Sequence, residues 1–447
     1  MSFLLPCLAK SPLKMYVRGK YYFRRVNMKI AKTEVVITPE PGTTIAGYGP
    51  YDETIRIVDD LVLSLLALDD GKNKALILGY DLIGLDEALA NRLRSEAAKA
   101  LGVPDEYVIL SCTHTHQGPH TRTLSRAPET FNTAYAEKLV AWTLEGVEKL
   151  KGTFVEAETY FYSMKVDANT NRRFVGRDNR GRFFPHHRDM EALADEYCDQ
   201  ELGLLLFYEK DTRNPIEVLA NYAAHPLAAH APGAGSYSIS PDYPGYLRQF
   251  VKYESGADCI FLSGAAGDMF PKESETGQAA ARKMGEQLCS AIMLALCDAR
   301  RQPDRFKLEN PEIKAAFSYV EVKRRMDNPE EHGGLQPYYR GKDSFKLPLQ
   351  FLAVGDVAFV GVPGELLAEL GQEIKWHSPY RKTFILYAST AYFAYLCHGN
   401  ALLSGGYEAW TQLCDSRSGL KLVNAAVDGL YDLKGIEALP SLQEKNF

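Results

Sequence analysis

The segment YVILSCTHTHQGPH, residues 107–120, combines a strand-like apolar run with three histidines. Its first half is apolar and β-branched, which predicts a short buried strand over residues 107–112. The strand ends in Thr-His-Thr-His, and Gly118-Pro119 then turns the chain away. Side chains two residues apart on an extended chain point to the same side, about 6–7 Å from each other. One of His114 and His116 can therefore bind an ion while the other faces a substrate, although two surface histidines at a strand end would give the same pattern.

The segments before this stretch predict an α/β protein. An apolar run over residues 74–80 is followed by a helical pattern over residues 85–101, which stops at Gly102. Strand, helix and strand thus alternate up to the histidines, as in a βαβ unit. No internal repeat and no Pro/Gly/Ser-rich linker divides the rest of the chain. We therefore expect a single large α/β domain, with a mostly parallel or mixed sheet flanked by helices.

The composition is typical of a globular protein with a sizeable core, since 46% of the 447 residues are hydrophobic and 24% are charged. A net charge of −6 argues against a nucleic-acid partner bound through a basic face. No run approaches about 18 apolar residues, so we expect no transmembrane segment. The eight cysteines form no Cys-x-x-Cys pair, and several lie in apolar runs. This favours buried thiols in a reducing compartment, and hence a cytoplasmic location.

Two segments do not follow the alternating pattern. Residues 1–27 place their basic residues after a short apolar run, the reverse of a signal peptide. We expect a loosely ordered N-terminal extension there, with the domain itself covering residues 28–447. The polar segment 173–200 predicts an insertion loop or lid. Its His186-His187 pair favours solvated side chains over metal ligands, because adjacent residues on an extended chain point apart.

Four predicted strand ends carry unusual polar or glycine-rich sequence. They are residues 114–120, His225, residues 264–268 and Gly364-Glu365. Because the carboxyl ends of strands line the binding crevice of open α/β sheets, we expect these segments to meet there. Each alone has a structural explanation: a packed core histidine for His225, a capped turn for Asp268, a favourable helix start for Glu365. Together, two histidines, a carboxylate and a water give the open arrangement of catalytic zinc, which predicts a metal hydrolase.

At these residues the chain resembles the zinc-bearing catalytic domain of the neutral/alkaline, non-lysosomal ceramidase family. The matching motifs span about residues 29–410 and occur in the family's order: Thr113-His114-Thr115-His116-x-Gly-Pro, Asn169-x-Asn171-Arg172, Ala224-His225, Gly267-Asp268, Pro363-Gly364-Glu365 and a late tyrosine segment. The first motif together with the later Pro-Gly-Glu is the specific part. The resemblance implies a zinc-dependent amidase that cleaves a linear N-acyl bond, with ceramide or another N-acyl amine as substrate.

The resemblance also implies a role for individual residues. It assigns the zinc ion to four ligands: His114, His225, Glu365 and Tyr395. It places three more side chains at the scissile amide: His116, Arg172 and Tyr407. The implied mechanism is attack of a zinc-activated water on the amide carbonyl, with His116 as general acid/base and Arg172 or Tyr407 steadying the oxyanion. Tyr392 competes with Tyr395 as the phenolic ligand.

Three departures from the family bear on the substrate. Phe270 stands where ceramidases have a serine, the loop at residues 396–400 lacks the family's Thr/Pro/Glu-rich sequence, and the chain stops at Phe447, where ceramidases continue into an immunoglobulin-like domain. These features fit a bacterial ceramidase-like hydrolase of a small-molecule or lipid amide, in an oligomeric state that the sequence leaves open. Two alternatives remain: a zinc hydrolase of a non-lipid amide or ester such as an acylated amino sugar, and a non-catalytic relative that binds a metal or ligand.

Overall fold

The computed structural model describes residues 28–47, 51–122, 128–183, 192–195, 197–230, 237–274, 276–325 and 341–436. The predicted N-terminal extension and the His186-His187 pair lie outside the described residues. Met28, the first described residue, opens the first strand of the largest sheet.

The strands of the described ranges are β1 (Met28–Val36), β2 (Arg56–Ile57), β3 (Val62–Asp69), β4 (Lys74–Tyr80), β5 (Val108–Cys112), β6 (Val155–Lys165), β7 (Asn169–Asn171), β8 (Arg173–Gly176), β9 (Gly181–Phe183), β10 (Ala192–Asp195), β11 (Glu201–Glu209), β12 (Pro215–Tyr222), β13 (Ser238–Ile239), β14 (Asp258–Ser263), β15 (Met269–Pro271), β16 (Ile313–Lys323), β17 (Ser344–Val354), β18 (Val357–Gly361), β19 (Glu365–Leu366), β20 (Lys382–Leu386) and β21 (Tyr395–Leu396). The helices are α1 (Glu87–Leu101), α2 (Thr133–Leu150), α3 (Tyr243–Ser255), α4 (Gln278–Arg301), α5 (Pro303–Phe306), α6 (Ala368–His377), α7 (Gly399–Ser404), α8 (Tyr407–Thr411) and α9 (Ser418–Lys434).

An eight-stranded sheet dominates the fold, with the strand order β14-β12-β11-β6-β1-β3-β4-β5. Its inner pairings are antiparallel, whereas the outer pairs β12/β14 and β4/β5 are parallel. The sheet is therefore mixed, which is the second of the two predicted forms, and its parallel pairs lie at the two edges. The physical reason lies in the connections. Helices α1 and α3 carry the crossovers within the parallel pairs, whereas β3 to β4 and β11 to β12 are joined by short turns that permit only antiparallel pairing.

A second sheet, β16-β17-β18-β20, packs face to face on the large one, and helices cover the outer faces of both. Side chains alternate accordingly, as the pleat requires. On β17, Leu352 faces the other sheet and Phe351 faces the helix side, and on β11 Leu205 and Leu206 divide in the same way. Helices α1 to α4 cover the large sheet, and α6 and α9 cover the second. Because both faces of each sheet are buried, the strands appear in sequence as continuous apolar runs.

The twist of the large sheet brings its two outer pairs together at their carboxyl ends. Each strand pair adds a right-handed twist of about 20–25°, and this twist accumulates across the eight strands. The Ser263 hydroxyl, at the end of β14, consequently donates a hydrogen bond of 2.7 Å to the carbonyl of Thr113, just past β5. The Ser389 hydroxyl, past β20, donates to the carbonyl of Leu110. Three parallel pairs, β4/β5, β12/β14 and β18/β20, therefore end at one place.

Two further expectations concern the described part of the chain. None of its helices has the length and apolar character needed to cross a membrane. Its seven cysteines are unpaired thiols, and five of them are buried. The prediction of buried thiols in place of disulfides therefore holds for these residues.

Candidate metal centre

The convergence of the strand ends brings four predicted ligands together. His114 follows β5, His225 follows β12, and Glu365 and Tyr395 open the short strands β19 and β21, where they face each other in register. All four side chains are buried. The predicted position of the site, at the carboxyl ends of the strands, is thus where these residues meet.

Glu365 lies between the two histidines. Its Oε2 is 3.2 Å from Nε2 of His225 and 3.5 Å from Nε2 of His114, and the ring centroids of these histidines are 4.9 Å apart. Its other oxygen, Oε1, accepts a hydrogen bond of 2.5 Å from the Tyr392 hydroxyl. One carboxylate oxygen is therefore shared by two imidazole nitrogens.

The tautomer of His225 determines what this arrangement can bind. Its Nδ1 is 3.1 Å from the carbonyl oxygen of Met269, which can only accept a hydrogen bond, so Nδ1 carries the proton. Burial lowers the pKa of His225 to about 4, so the ring is neutral at pH 7 and its Nε2 presents a lone pair to Glu365. Burial acts to raise the pKa of Glu365, but the neighbouring His114 outweighs it and holds that pKa well below its usual range.

The lone pair on His225 Nε2 and the Glu365 carboxylate oxygen thus face each other in a site shielded from water, and they repel each other. A cation placed between them would turn this repulsion into attraction. Two imidazole nitrogens and one carboxylate are a characteristic zinc-binding set. The Nδ1–H bond to a backbone carbonyl is the usual support behind a histidine ligand, because it fixes the ring with Nε2 free to coordinate. The residues present therefore fit a zinc ion.

The backbone at His114 is strained in the way functional sites often are. Its φ is 70°, in the left-handed region that non-glycine residues seldom adopt. The His114 N–H donates a hydrogen bond of 2.9 Å to the carbonyl of Leu82, which holds this conformation in place. The extended chain assumed for the motif thus breaks at the first histidine, and residues 114 and 116 do not simply project from one strand face.

His116 lies closer to the other histidines than the spacing predicted. Its ring centroid is 5.2 Å from that of His114 and 5.7 Å from that of His225, and the potential ligand nitrogens of the three rings all lie within 4.8 Å of one another. Gly47, at φ 104°, packs against the His116 ring so closely that a Cβ there would be 2.4 Å from Nδ1. The His116 ring is thus close enough to His114 and His225 to act either as a third histidine ligand of the metal or as a general acid/base beside it.

Arg172, Tyr395 and Tyr407 line a second side of the site, and we call this group of side chains the wall. The Nη2 atom of Arg172 donates a hydrogen bond of 3.0 Å to the Tyr395 hydroxyl, and its guanidinium carbon lies 5.7 Å from the centroid of the Tyr407 ring. The Tyr395 and Tyr407 rings are 5.5 Å apart. Tyr407 remains 44% exposed, so this wall opens towards solvent. The three predicted residues are therefore neighbours, and the two candidate tyrosine ligands differ in their contacts: Tyr395 with Arg172, Tyr392 with Glu365.

Sequence reasoning missed the residue that fixes this wall. Glu408, buried on α8, accepts hydrogen bonds from Arg172 Nε at 2.6 Å and from Arg173 Nη1 at 2.7 Å. The centroid of the Phe270 ring lies 4.7 Å from the guanidinium carbon of Arg172 and 5.6 Å from the centroid of the His225 ring. A glutamate next to a tyrosine in a short helix carries no signal of burial, and its role appears only once the fold brings α8 against β7 and β8.

The backbone conformation of Gly364 determines the position of Glu365. The φ of Gly364 is 70°, and a Cβ would lie 2.3 Å from the carbonyl oxygen of Ala394. We expect Gly364→Ala to destabilise the protein more than Gly102→Ala, a control at φ 79° where no atom lies within 4 Å of the added Cβ. The control isolates the left-handed backbone, worth about 1 kcal/mol, and the clash adds about 1–3 kcal/mol. Urea denaturation measures both free energies of unfolding, and equal losses would contradict this account of Gly364.

The fold and the site together define a class: the described chain has the fold of the neutral ceramidases. The crystal structure of neutral ceramidase from Pseudomonas aeruginosa superposes with a TM-score of 0.74 at 15% sequence identity, over 93% of this chain and 76% of that one. A ceramidase complexed with C2 superposes with a TM-score of 0.72 at 16% identity, over 93% and 77%. No protein-family profile matches the sequence, and a search of curated proteins found no match. The resemblance inferred from the motifs is therefore confirmed at the level of the fold.

Proposed function

We propose that the protein is a zinc-dependent hydrolase that cleaves the amide bond of an N-acyl substrate. The observation that carries the proposal is the Glu365 Oε2 atom, which faces Nε2 of two buried histidines at the meeting point of the strand ends. The ceramidase fold of the described chain supports it, since the solved structures that share this fold are named as ceramidases.

His114, His225 and Glu365 would hold the ion. Tyr395 is the fourth proposed ligand. Burial raises the pKa of Tyr395 well above its ordinary value, although Arg172 acts to lower it, so this phenol would ionise only with the ion in place. A zinc ion bound here would lower the pKa of a water towards about 7 and polarise the amide carbonyl.

His116 is the proposed general acid/base. Burial and the neighbouring His114 and His225 lower its pKa well below the ordinary value, so the ring is neutral and can accept a proton. A His116 ring nitrogen then takes the proton that the attacking water loses and returns it to the departing amine nitrogen. Because the ring is held against Gly47, it needs no large movement for either transfer.

Arg172 and Tyr407 are proposed to stabilise the oxyanion that develops on the amide carbonyl. Glu408 fixes the Arg172 guanidinium through Nε, and the 3.0 Å bond from Nη2 to Tyr395 fixes its far end, so its position does not depend on the substrate. Donors placed in advance of the reaction are the most effective, because no reorganisation is needed as charge develops.

The proposal is tested with a panel of N-acyl amides that vary in head group and acyl chain, assayed with and without a zinc chelator. We expect hydrolysis of at least one amide, its loss with the chelator and its recovery when zinc is added back. Turnover that a chelator does not affect would contradict zinc dependence. If long-chain ceramides are refused and short amides are cleaved, the substrate is the non-lipid alternative.

A further inference from the structure

Arg122 is a buried cation beside the candidate metal centre that the proposed chemistry does not use. It follows His114 in the loop after β5, and only 8% of its surface is exposed. Its guanidinium carbon stacks 4.0 Å from the centroid of the Tyr392 ring, whose hydroxyl donates to Glu365. The charge of Arg122 therefore lies one side chain away from the carboxylate of the centre.

Within the described ranges, Arg122 forms no ion pair with a carboxylate, and its buried Nε has no acceptor. Three other buried arginines are paired with carboxylates: Arg172 and Arg173 share Glu408, and Arg248 forms two hydrogen bonds with Asp81. A fourth, Arg94, donates to the neutral side chains of Asn91 and Gln350. Burying a cation without an anion is unfavourable, so a site that retains one usually has an anion to bind.

The carboxylate of Glu365 does not supply this anion. Its two oxygens already face His114, His225 and the Tyr392 hydroxyl. A divalent ion at the centre would neutralise Glu365 further and make the surroundings of Arg122 more positive. The planar guanidinium offers paired N–H donors that match the two oxygens of a carboxylate or phosphate.

We propose that Arg122 binds an anionic group of the substrate, so that the amides cleaved at this centre are acidic N-acyl compounds, such as N-acyl amino acids, and not neutral amides. The inference rests on the proposed function, since it concerns the substrate of the same site. Arg122 is then a specificity-determining residue, and its stacking on Tyr392 sets the distance between the anionic group and the metal centre.

The test compares amides that share a lauroyl chain and differ in charge: N-lauroylglycine, its neutral counterpart N-lauroylglycinamide, and N-lauroyl-O-phosphoethanolamine. We expect the zinc-loaded wild-type protein to prefer an anionic amide in kcat/KM. Arg122→Met keeps the stacked stem and removes the charge, and should lower kcat/KM for that anionic amide at least about 30-fold. It should change the value for N-lauroylglycinamide less than about threefold, and Arg122→Lys should lie between. Comparing kcat/KM for N-lauroylglycine and N-lauroyl-O-phosphoethanolamine shows whether the site prefers a carboxylate or a phosphate.

Arg94→Met is the matched control, because Arg94 is buried on α1 and donates to Gln350 and Asn91, away from the centre. Whatever its effect on Tm, this variant should leave the ratio of kcat/KM between charged and neutral amides unchanged. An equal loss for both amides in Arg122→Met, or a wild-type preference for the neutral amide, would overturn the inference.

If no amide is hydrolysed, the proposed function fails and the inference is judged by binding alone. Calorimetry with N-lauroylglycine and N-lauroylglycinamide then measures the same contrast without turnover. Tighter binding of the anion by wild type, lost at least about 30-fold in Arg122→Met, would uphold the anion site. Equal binding of the two compounds, or unchanged binding in the variant, would reject it.

Discussion

Glu365→Gln is expected to strip the metal from the protein and lower amide hydrolysis about 10³-fold or more. The substitution removes the single negative charge that His114 and His225 share at 3.5 and 3.2 Å, while it keeps the shape of the side chain. The glutamine amide can donate a hydrogen bond to the lone pair on His225 Nε2, which gives the variant a stable arrangement without an ion. The protein should therefore remain folded and lose zinc, measured as metal per chain after dialysis.

Glu217→Gln is the matched control for this experiment. Glu217 is also fully buried, at the opposite end of β12 from His225, and burial raises its pKa well above the ordinary value. Burial thus disfavours the charged form of this carboxyl, and the neutral amide of glutamine keeps its shape. We expect full zinc content and full activity in Glu217→Gln. A Glu365→Gln protein that retains one zinc per chain would contradict the proposed centre.

His116→Ala is expected to keep the zinc and lose about 10²–10⁴-fold in kcat. Glu365 contacts His114, His225 and Tyr392, so removing the His116 ring leaves the shared carboxylate oxygen in place. What is lost is the neutral base that carries the proton between water and amine. Metal content and kcat measured on one preparation separate the two effects.

The control for this variant is His377→Ala, since His377 is an exposed histidine at the end of α6. It should change neither quantity. Because the nitrogens of His114, His116 and His225 lie within 4.8 Å of one another, the opposite outcome has a clear meaning. Loss of zinc from His116→Ala, as in Glu365→Gln, would make His116 a ligand and leave the acid/base role to another residue.

Much of the local structure was predictable because local sequence determines it. The helix expected to end at Gly102 is α1, and Gly102 adopts the left-handed conformation that closes a helix. The turn between β11 and β12 contains Arg213 and Asn214 directly before Pro215, a combination that is typical of turns. Helix α9 was absent from the predicted elements, although its buried positions Leu422, Val423, Ala426 and Leu430 have helical spacing.

The order of strands in the large sheet was not predictable, because it depends on pairings between segments far apart in sequence. Strand β1 lies between β3 and β6, which no local pattern indicates. The meeting of strand ends was nevertheless expected correctly, since each parallel pair places its polar residues at the carboxyl end. What sequence could not supply was the hydrogen bonding of the site, such as Glu408 with two arginines and Tyr392 with Glu365.

Zinc titration of the metal-stripped wild-type protein, with amide hydrolysis and Tm followed together, tests the central claim most directly. We expect activity to rise linearly to saturation at one zinc per chain. Tm should rise with it, because an ion bound only by the folded protein stabilises that protein. Full hydrolysis before zinc is added, or zinc binding with neither activity nor a rise in Tm, would contradict a catalytic metal centre at His114, His225 and Glu365.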